Sequence, residues 1–423
     1  MKTESILKRH KLLIILKSSI GVEMFLAPVM TIFYLDYVGI SFVEYTYFQT
    51  LLFIFVGILE VPTGVLADIV GRKRTLIISE IIYLSAMVLL IIFPCRLTLW
   101  VSTILYPVGA TLGSGNLRAI CYEVFKKHDK VNELHKVLSI SSSMQLLCGA
   151  IAALLGGFFA SKYLALPLIL DSILFLISIL LTIVLLEDDK KAQLFEVIPG
   201  QGLQKGCAVL IHGLKCLRIY PQLIFLLLIS ATFFAMIRGV FLTYQPLLVN
   251  SGFNLQSLGV IFALFGGFAA ANSFFSRKIF NVLGSVKNYV IFMLAMAFLS
   301  ILVLWGNDSS KFFVLGAILC HQCVRGLYLP FFSFSINQSI PSGHASRSTI
   351  LSVANLANSM FCGAVILALG FTTSRSSYQY GFIAITLCLT FLSLCFLIFY
   401  RIFCQKSFGL EKNAEIQYVA GRS

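Results

Sequence analysis

The stretch Gly64-Val-Leu-Ala-Asp68-Ile-Val-Gly71-Arg72-Lys73-Arg74 decides the fold of this chain. It lies between two long apolar runs and ends in three successive cations. Gly64 lets a neighbouring helix approach closely, and Asp68 can pair with cations or accept hydrogen bonds from a helix N-terminus. Gly71 allows a tight reversal, and the cations favour the cytoplasmic side of a bilayer. The stretch therefore predicts a short cytoplasmic loop between two membrane-spanning helices.

The composition of the 423 residues is that of a membrane protein. Hydrophobic residues make up 58% of the chain, charged residues make up 12%, and the mean hydropathy is +0.92. These values exclude an ordinary soluble domain. The net charge of +14 raises the question of nucleic acid. However, the cations lie in short segments between apolar runs rather than on one soluble domain, so we expect no nucleic-acid partner.

Twelve apolar runs are long enough to cross a bilayer, since about 20 residues cross roughly 30 Å of hydrocarbon. They predict an all-α membrane protein with twelve transmembrane helices. The predicted spans are 12–38, 43–67, 75–94, 98–125, 137–160, 163–186, 221–249, 255–276, 288–305, 311–340, 346–371 and 378–402.

The distribution of cations predicts the orientation. With both termini in the cytoplasm, 24 of the 32 Lys and Arg residues are cytoplasmic and four lie within spans. This asymmetry favours an N-in, C-in topology. The first apolar run is too long for a cleaved signal peptide and lacks a small-residue cleavage pattern, so we expect none. The four cations expected outside are Arg96, Lys162, Lys311 and Arg375.

The chain divides at its one long loop. We predict a six-helix bundle over 1–186, a cytoplasmic linker over 187–220, a second six-helix bundle over 221–402 and a cytoplasmic tail over 403–423. Apolar residues in the linker recur at steps of four and three, which predicts a helix lying on the membrane interface. A flexible linker is the alternative. The recurring residues are Leu203, Cys207, Leu210, Leu214 and Leu217.

The pattern Gly-x-x-x-Asp-x-x-Gly-Arg-Lys resembles the signature loop of the major facilitator superfamily (MFS), with an ordinary basic loop as the alternative. The resemblance implies two bundles that move about a central substrate path. It also implies a monomeric, multi-pass secondary transporter of the cell inner membrane, in contact with membrane lipid, without cofactor or enzymatic activity. The matching residues, hereafter the signature loop, are Gly64, Asp68, Gly71, Arg72 and Lys73.

Two further segments, 114–123 and 347–352, resemble those of a bacterial subgroup of the superfamily. The predicted cytoplasmic ends of the second to fourth spans carry four charged residues beside Asp68, and we assign them to a cytoplasmic gate rather than to substrate: Arg118, Glu123, Glu80 and Glu60. Proton-driven drug exporters of the superfamily typically carry Gly-Pro in the fifth span. This chain has Ala153-Leu154 at that point, which weakens the drug-exporter interpretation.

Acidic residues within spans are candidates for proton coupling, because charge in hydrocarbon is costly. Glu23 lies roughly 16 Å into the first span by helical rise, near the midplane. Its protonation could change as the site opens to either side. The alternative is a buried ion pair with Lys17 or Arg325 that only holds helices together. Asp171 in the sixth span is the second coupling candidate.

Two arginines lie within spans of the second half, Arg238 and Arg325. A guanidinium remains charged and binds carboxylate or phosphate through two parallel hydrogen bonds. Either residue could therefore hold an anionic substrate or neutralise the acids of the first half. Aromatic residues predicted to line the substrate cavity are Phe25, Phe233, Phe234, Phe331 and Phe332.

These features predict a proton-coupled secondary transporter of a small molecule, with protons and the substrate as its partners. Export of amphipathic compounds or drugs is the first version of the function. Transport of an organic anion, such as a metabolite or carboxylate siderophore, is the second, and a non-transporting sensor or scaffold is the third. No Gly-x-x-x-x-Gly-Lys stretch occurs, so we expect no ATP drive. Cys320-His-Gln-Cys323 lies in an apolar run without a partner pair, so we expect no metal.

Overall fold

The computed structural model describes residues 2–21, 23–114, 116–128, 130–186, 221–306, 310–339 and 347–404. Every regular element within these ranges is a helix, so the expected all-α fold is confirmed. The predicted interfacial helix of the linker and most of the predicted tail lie outside them. The helices are α1 (Lys2–Ser19), α2 (Met30–Ile32, continued by a π-helical turn over Phe33–Tyr37), α3 (Phe42–Val70), α4 (Arg72–Ile92), α5 (Arg96–Gly113), α6 (Asn116–Lys127), α7 (Val131–Ala160), α8 (Leu166–Leu185), α9 (Pro221–Asn250), α10 (Leu255–Leu283), α11 (Val286–Gly306), α12 (Lys311–Ser339), α13 (Arg347–Arg375) and α14 (Tyr378–Cys404).

Ten of the described helices are long and apolar enough to cross a membrane. They correspond to ten of the twelve predicted spans. The first and fourth predicted spans are each divided between two shorter elements. In the fourth, α5 ends at Gly113 and α6 begins at Asn116. The prediction of one helix over 98–125 is therefore wrong at this point, where Gly113 and Ser114 both favour helix ends over helix interiors.

The helices pack mainly with others from the same half of the chain, and several pairs of described helices join the halves, among them the short α2 with α9. Helix α3 packs against α13, and α7 packs against α10. A core of buried apolar side chains runs through both halves, from Leu26 in the first half to Leu397 in α14. The candidate site described below therefore lies at the junction of the two halves, where helices of the first half face those of the second.

Helices α7 and α10 touch backbone to backbone. A Cβ added at Gly157 would lie 2.6 Å from the Cα of Gly259 and 2.9 Å from the carbonyl oxygen of Leu255. Such close approach is typical of small residues between membrane helices. It occurs at the end of α7 that the cation distribution places outside, so it holds the outer ends of the two halves together.

We expect Gly157→Ala to destabilise the folded protein by about 1–3 kcal/mol, because the added methyl has to separate two backbones. Thermal unfolding of the purified protein measures the change. Gly266→Ala is the matched control, since this glycine lies in α10 and a Cβ there meets nothing within 4 Å. Equal stability of the two variants would contradict the assigned contact.

Candidate functional site

The first predicted span is interrupted in the middle of the first half. Helix α1 ends at Ser19 and regular helix resumes only at Met30. Among the described residues outside glycine, Glu23 alone has a positive φ, of 51°. Pro28 has no backbone N–H to donate and disfavours a continuous helix around it. The prediction of one helix over 12–38 is therefore wrong, and Glu23 lies in a break rather than on a helix face.

Asp171 accepts hydrogen bonds from backbone amides that this break leaves without helical partners. The amide of Phe25 donates to Oδ1 at 3.1 Å, and the amide of Leu26 donates to Oδ2 at 3.0 Å. Asp171 is 1% exposed and lies in α8. The first amides of any helical segment need such acceptors. The two predicted coupling residues are thus brought together, because the carboxylate of Asp171 binds the backbone amides that follow Glu23 in the chain.

Four tyrosines, hereafter the tyrosine cluster, lie near Glu23. No sequence pattern indicated them, because they come from four different elements. Each interacts electrostatically with Glu23. Tyr34 stacks on Tyr45 with ring centroids 4.9 Å apart, and Tyr83 meets Tyr106 edge-on at 4.9 Å. A tyrosine hydroxyl can donate or accept a hydrogen bond. This tyrosine cluster can therefore face either a carboxylate or a neutral carboxyl group.

Lys17 does not pair with Glu23. Its ammonium lies 2.5 Å from Glu80 and 2.6 Å from the hydroxyl of Thr182. The side chains of Lys17 and Glu80 are both 8% exposed. The alternative in which Lys17 pairs with Glu23 is therefore wrong in this conformation, because Lys17 and Glu80 neutralise each other inside the first half. The gate role expected of Glu80 stays a prediction.

Arg238 and Arg325 lie near the middle of α9 and α12, and both side chains are exposed. The two guanidinium groups are close enough to repel each other. Within the described part of the chain, no carboxylate lies within 4.0 Å of either group. Arg325 instead donates to the Oε1 of Gln322 at 3.2 Å. Neither arginine therefore pairs with Glu23 or Asp171 in this conformation. Arg238 and Arg325 are hereafter called the arginine pair.

The aromatic neighbours of the arginine pair agree only in part with those predicted, since Phe234 is one of them. Phe233 is 0% exposed and Phe331 is 5% exposed, so both belong to the core of the second half rather than to a cavity wall. The guanidinium of Arg238 lies 5.8 Å from the ring of Phe234, and that of Arg325 lies 5.9 Å from the ring of Phe241. The rings of Phe234 and Phe241 are thus on the arginine-bearing side of α9.

Phe25 belongs to the break rather than to the arginine pair. Its carbonyl packs against Gly156 in α7, and its amide bonds Asp171. The ring of Phe234 lies 6.3 Å from that of Phe53 in α3, edge-on. Because Phe53 belongs to the first half and Phe234 to the second, the arginine side of α9 faces the junction of the two halves.

A glutamine from the second half completes the backbone of the first span beyond the break. The Oε1 of Gln245 accepts from the amide of Thr31 at 2.6 Å, and its Nε2 donates to the carbonyl of Ala27 at 2.8 Å. Gln245 and Thr31 are both 0% exposed. Nothing in the sequence pattern indicated this contact, since a lone glutamine in an apolar run has no periodic partner.

The signature loop makes the predicted reversal at Gly71, which has a φ of 97° and separates α3 from α4. The side chains of Asp68 and Arg118 lie outside the described residues, so their predicted place in the gate stays a prediction. Glu60 of α3 accepts a hydrogen bond at 3.0 Å from Asn355 of α13. This bond joins the two halves towards their predicted cytoplasmic ends.

Ion pairs among the described residues lie at the predicted cytoplasmic ends of the first half. Arg72 of the signature loop lies 2.7 Å from Glu123, and the gate role of these two residues stays a prediction. Lys11 is 2.5 Å from Glu133, and hydrogen bonds from Lys11 and Lys130 lower the pKa of this carboxyl to about 2. The stabilisation from Glu133 is therefore present above the usual glutamate pKa and is lost as the pH falls towards 2.

The Cys320–Cys323 segment holds a buried polar contact. His321 is 0% exposed and its Nδ1 hydrogen-bonds the hydroxyl of Tyr244. Cys323 donates from its Sγ to the Oδ1 of Asn272 at 3.2 Å. The described residues include no group of three or more His, Cys, Asp or Glu side chains placed to hold a metal ion.

Comparisons with known proteins agree with this architecture. The profile described as Major Facilitator Superfamily matches residues 12–368. A crystal structure of the nucleoside transporter NupG superposes with a TM-score of 0.72 at 12% identity, covering 94% of this chain and 98% of that one. A transporter of the POT family in complex with 5-aminolevulinic acid gives 0.68 at 14%, covering 93% and 96%.

A D-xylose–proton symporter gives a TM-score of 0.67 at 13% identity, covering 93% of this chain and 96% of that one. Such identities show a shared fold and carry no information on substrate. A search of curated proteins found no match.

Proposed function

Because this chain belongs to the major facilitator superfamily of secondary transporters, we propose that it moves a small organic anion across the inner membrane by alternating access, coupled to protons. The halves would rock about the junction that Phe53 and Phe234 form. The arginine pair would bind the anionic group, and Glu23 would carry the proton.

The arginine pair is the observation that supports an anionic substrate. Two like charges held near each other in a membrane protein need compensation, since charge in hydrocarbon is costly. Here no described carboxylate supplies it. A carboxylate or phosphate on the substrate would supply it through charge-assisted hydrogen bonds. The bound anion would thereby neutralise Arg238 and Arg325 while it crosses.

The rings of Phe234 and Phe241 support an apolar or aromatic part on the same substrate. Each lies under one guanidinium, at 5.8 and 5.9 Å, and each leaves partly accessible surface at the junction. Export of amphipathic compounds, the first version of the function, is compatible with this arrangement for amphipathic anions. Lipophilic cations fit it poorly, because the arginine pair would repel them.

The break at Glu23 supports proton coupling. A carboxyl that faces tyrosine hydroxyls can be hydrogen-bonded in either protonation state. A solved relative of the same fold is a D-xylose–proton symporter, so this architecture accommodates proton coupling in at least one other chain. The inner membrane remains part of the proposal, since it follows from the resemblance to bacterial transporters.

Binding of a substrate panel tests the proposal. We expect aromatic carboxylates to stabilise the purified protein against heat and to bind at least about tenfold more tightly than their neutral amides, a difference of about 1.4 kcal/mol. Each amide is the matched control for its acid, because it keeps the carbon skeleton and size and removes the negative charge. Binding of tetraphenylphosphonium without binding of any acid would contradict the anion assignment. Binding of acids without flux in proteoliposomes would instead favour the sensor interpretation.

A further inference from the structure

Asp171 and Glu23 are adjacent acids with different surroundings. Both oxygens of Asp171 are occupied by backbone amides, those of Phe25 and Leu26. Glu23 faces the hydroxyls of the tyrosine cluster instead. Two acids so close together interact with each other as well. The question is whether both exchange a proton during transport or only one does.

The donors around each acid decide what protonation would cost. A backbone N–H can only donate, so a protonated Asp171 would place its own O–H against a donor and give up one of its two bonds. The amide then released is in the interior, where an unpaired donor is expensive. A protonated Glu23 meets hydroxyls, which turn to accept its proton. Protonation is thus compatible with the surroundings of Glu23 and opposed by those of Asp171.

The position of Asp171 also fixes the backbone that carries Glu23. The bonded amides belong to the second and third residues after Glu23, whose φ of 51° is unfavourable for a residue other than glycine. Such strain persists only where the surroundings hold it. Asp171 lies in a different helix, α8. Its hydrogen bonds with the amides of Phe25 and Leu26, at 3.1 and 3.0 Å, hold the backbone after Glu23 in this conformation.

We infer that Asp171 is a positioning residue: it stays ionised, caps the broken first span and thereby holds Glu23 within the tyrosine cluster, without exchanging a proton itself. The inference rests on the proposed coupling through Glu23. The groups that face Glu23 are Asp171 and the tyrosine cluster, and the titratable group that faces Asp171 is Glu23. This replaces the expectation that Asp171 is a second proton carrier.

Hydrogen exchange tests the cap without reference to transport. In Asp171→Asn, one oxygen becomes an NH₂ donor and opposes an amide, so we expect the amides of Phe25 and Leu26 to exchange at least about tenfold faster, the effect of about 1.4 kcal/mol. The protein is compared in membranes with Asp36→Asn, which removes an exposed acid from the same span. Unchanged exchange in Asp171→Asn would overturn the capping role.

Infrared difference spectroscopy during a pH titration tests which acid takes up the proton. The carbonyl stretch of protonated carboxyl groups is followed, with the proton itself as the probe. We expect Glu23→Gln to remove the titrating band, and Asp171→Asn to retain it with its midpoint moved by about one pH unit or more, as for a displaced neighbouring group. A band that survives in Glu23→Gln and is lost when Asp171→Asn is added would overturn the inference.

The two measurements separate this inference from the proposed coupling. If Glu23→Gln leaves the band unchanged and the band also survives in Asp171→Asn, the coupling through Glu23 is wrong, and hydrogen exchange still decides whether Asp171 caps the break. If Asp171→Asn does not fold, the Glu23→Gln titration alone decides, because a proton-exchanging Asp171 would leave a residual band in that variant.

Discussion

Glu23→Gln is expected to abolish uphill transport driven by a pH gradient, while downhill movement or exchange of the same substrate continues. Glutamine is close in size and can hydrogen-bond the tyrosine cluster, but it cannot gain or lose a proton in the relevant range. Accumulation of a carboxylate from the binding panel is measured in proteoliposomes under an imposed gradient. We expect accumulation to fall to the level of equilibration.

Glu44→Gln is the matched control for this experiment. Glu44 is the acid of a capping box with Ser41 at the start of α3, and glutamine can fill the same position. It should therefore accumulate substrate as the wild-type protein does. If Glu23→Gln accumulates substrate as well as Glu44→Gln, Glu23 has no part in coupling.

Arg325→Lys is expected to weaken binding of anionic substrates by about tenfold to a hundredfold. Arginine binds a carboxylate through two parallel hydrogen bonds, whereas lysine offers a compact charge without this geometry. A hydrogen bond to a charged group contributes about 1.5–3 kcal/mol, which corresponds to that range. Lysine also lacks the guanidinium group that lies 5.9 Å from the ring of Phe241. The affinity of purified protein for the panel carboxylates measures the effect.

Arg375→Lys controls for the exchange of arginine for lysine as such, because Arg375 is exposed at the end of α13, far along the chain from the arginine pair. Thermal stability shows whether either variant is misfolded. An anionic substrate would be contradicted if no acid binds and if lipophilic cations bind wild type and Arg325→Lys with the same affinity. An unchanged affinity for acids would remove Arg325 from the site.

Much of the fold follows from the sequence, because apolar runs of the right length are separated by charges and glycines. The errors have physical reasons. The prediction 255–276 stops at the cations Arg277 and Lys278, but α10 continues to Leu283 and ends at Gly284 with a φ of 71°. A helix can extend beyond hydrocarbon into water, whereas hydropathy reports only the apolar part.

The site was less predictable, since it depends on contacts between distant segments. The arginines were found because charge in an apolar run is rare. The adjacent Phe233 and Phe234 could not be distinguished, because neighbours on a helix point about 100° apart and no pattern said which side faces the junction. In the sequence, only Gly21 and Pro28 indicate the break around Glu23. The apolar residues on both sides of it make 12–38 resemble one continuous span.

During synthesis, the ribosome completes the first half of this chain before it reaches Gln245. Until α9 has entered the membrane, the amide of Thr31 and the carbonyl of Ala27 lack the partners that this glutamine provides. An unpaired backbone group costs several kcal/mol in hydrocarbon. The first half therefore cannot reach its final hydrogen bonding during translation of its own residues, and biogenesis of the first span finishes only after the seventh has been inserted.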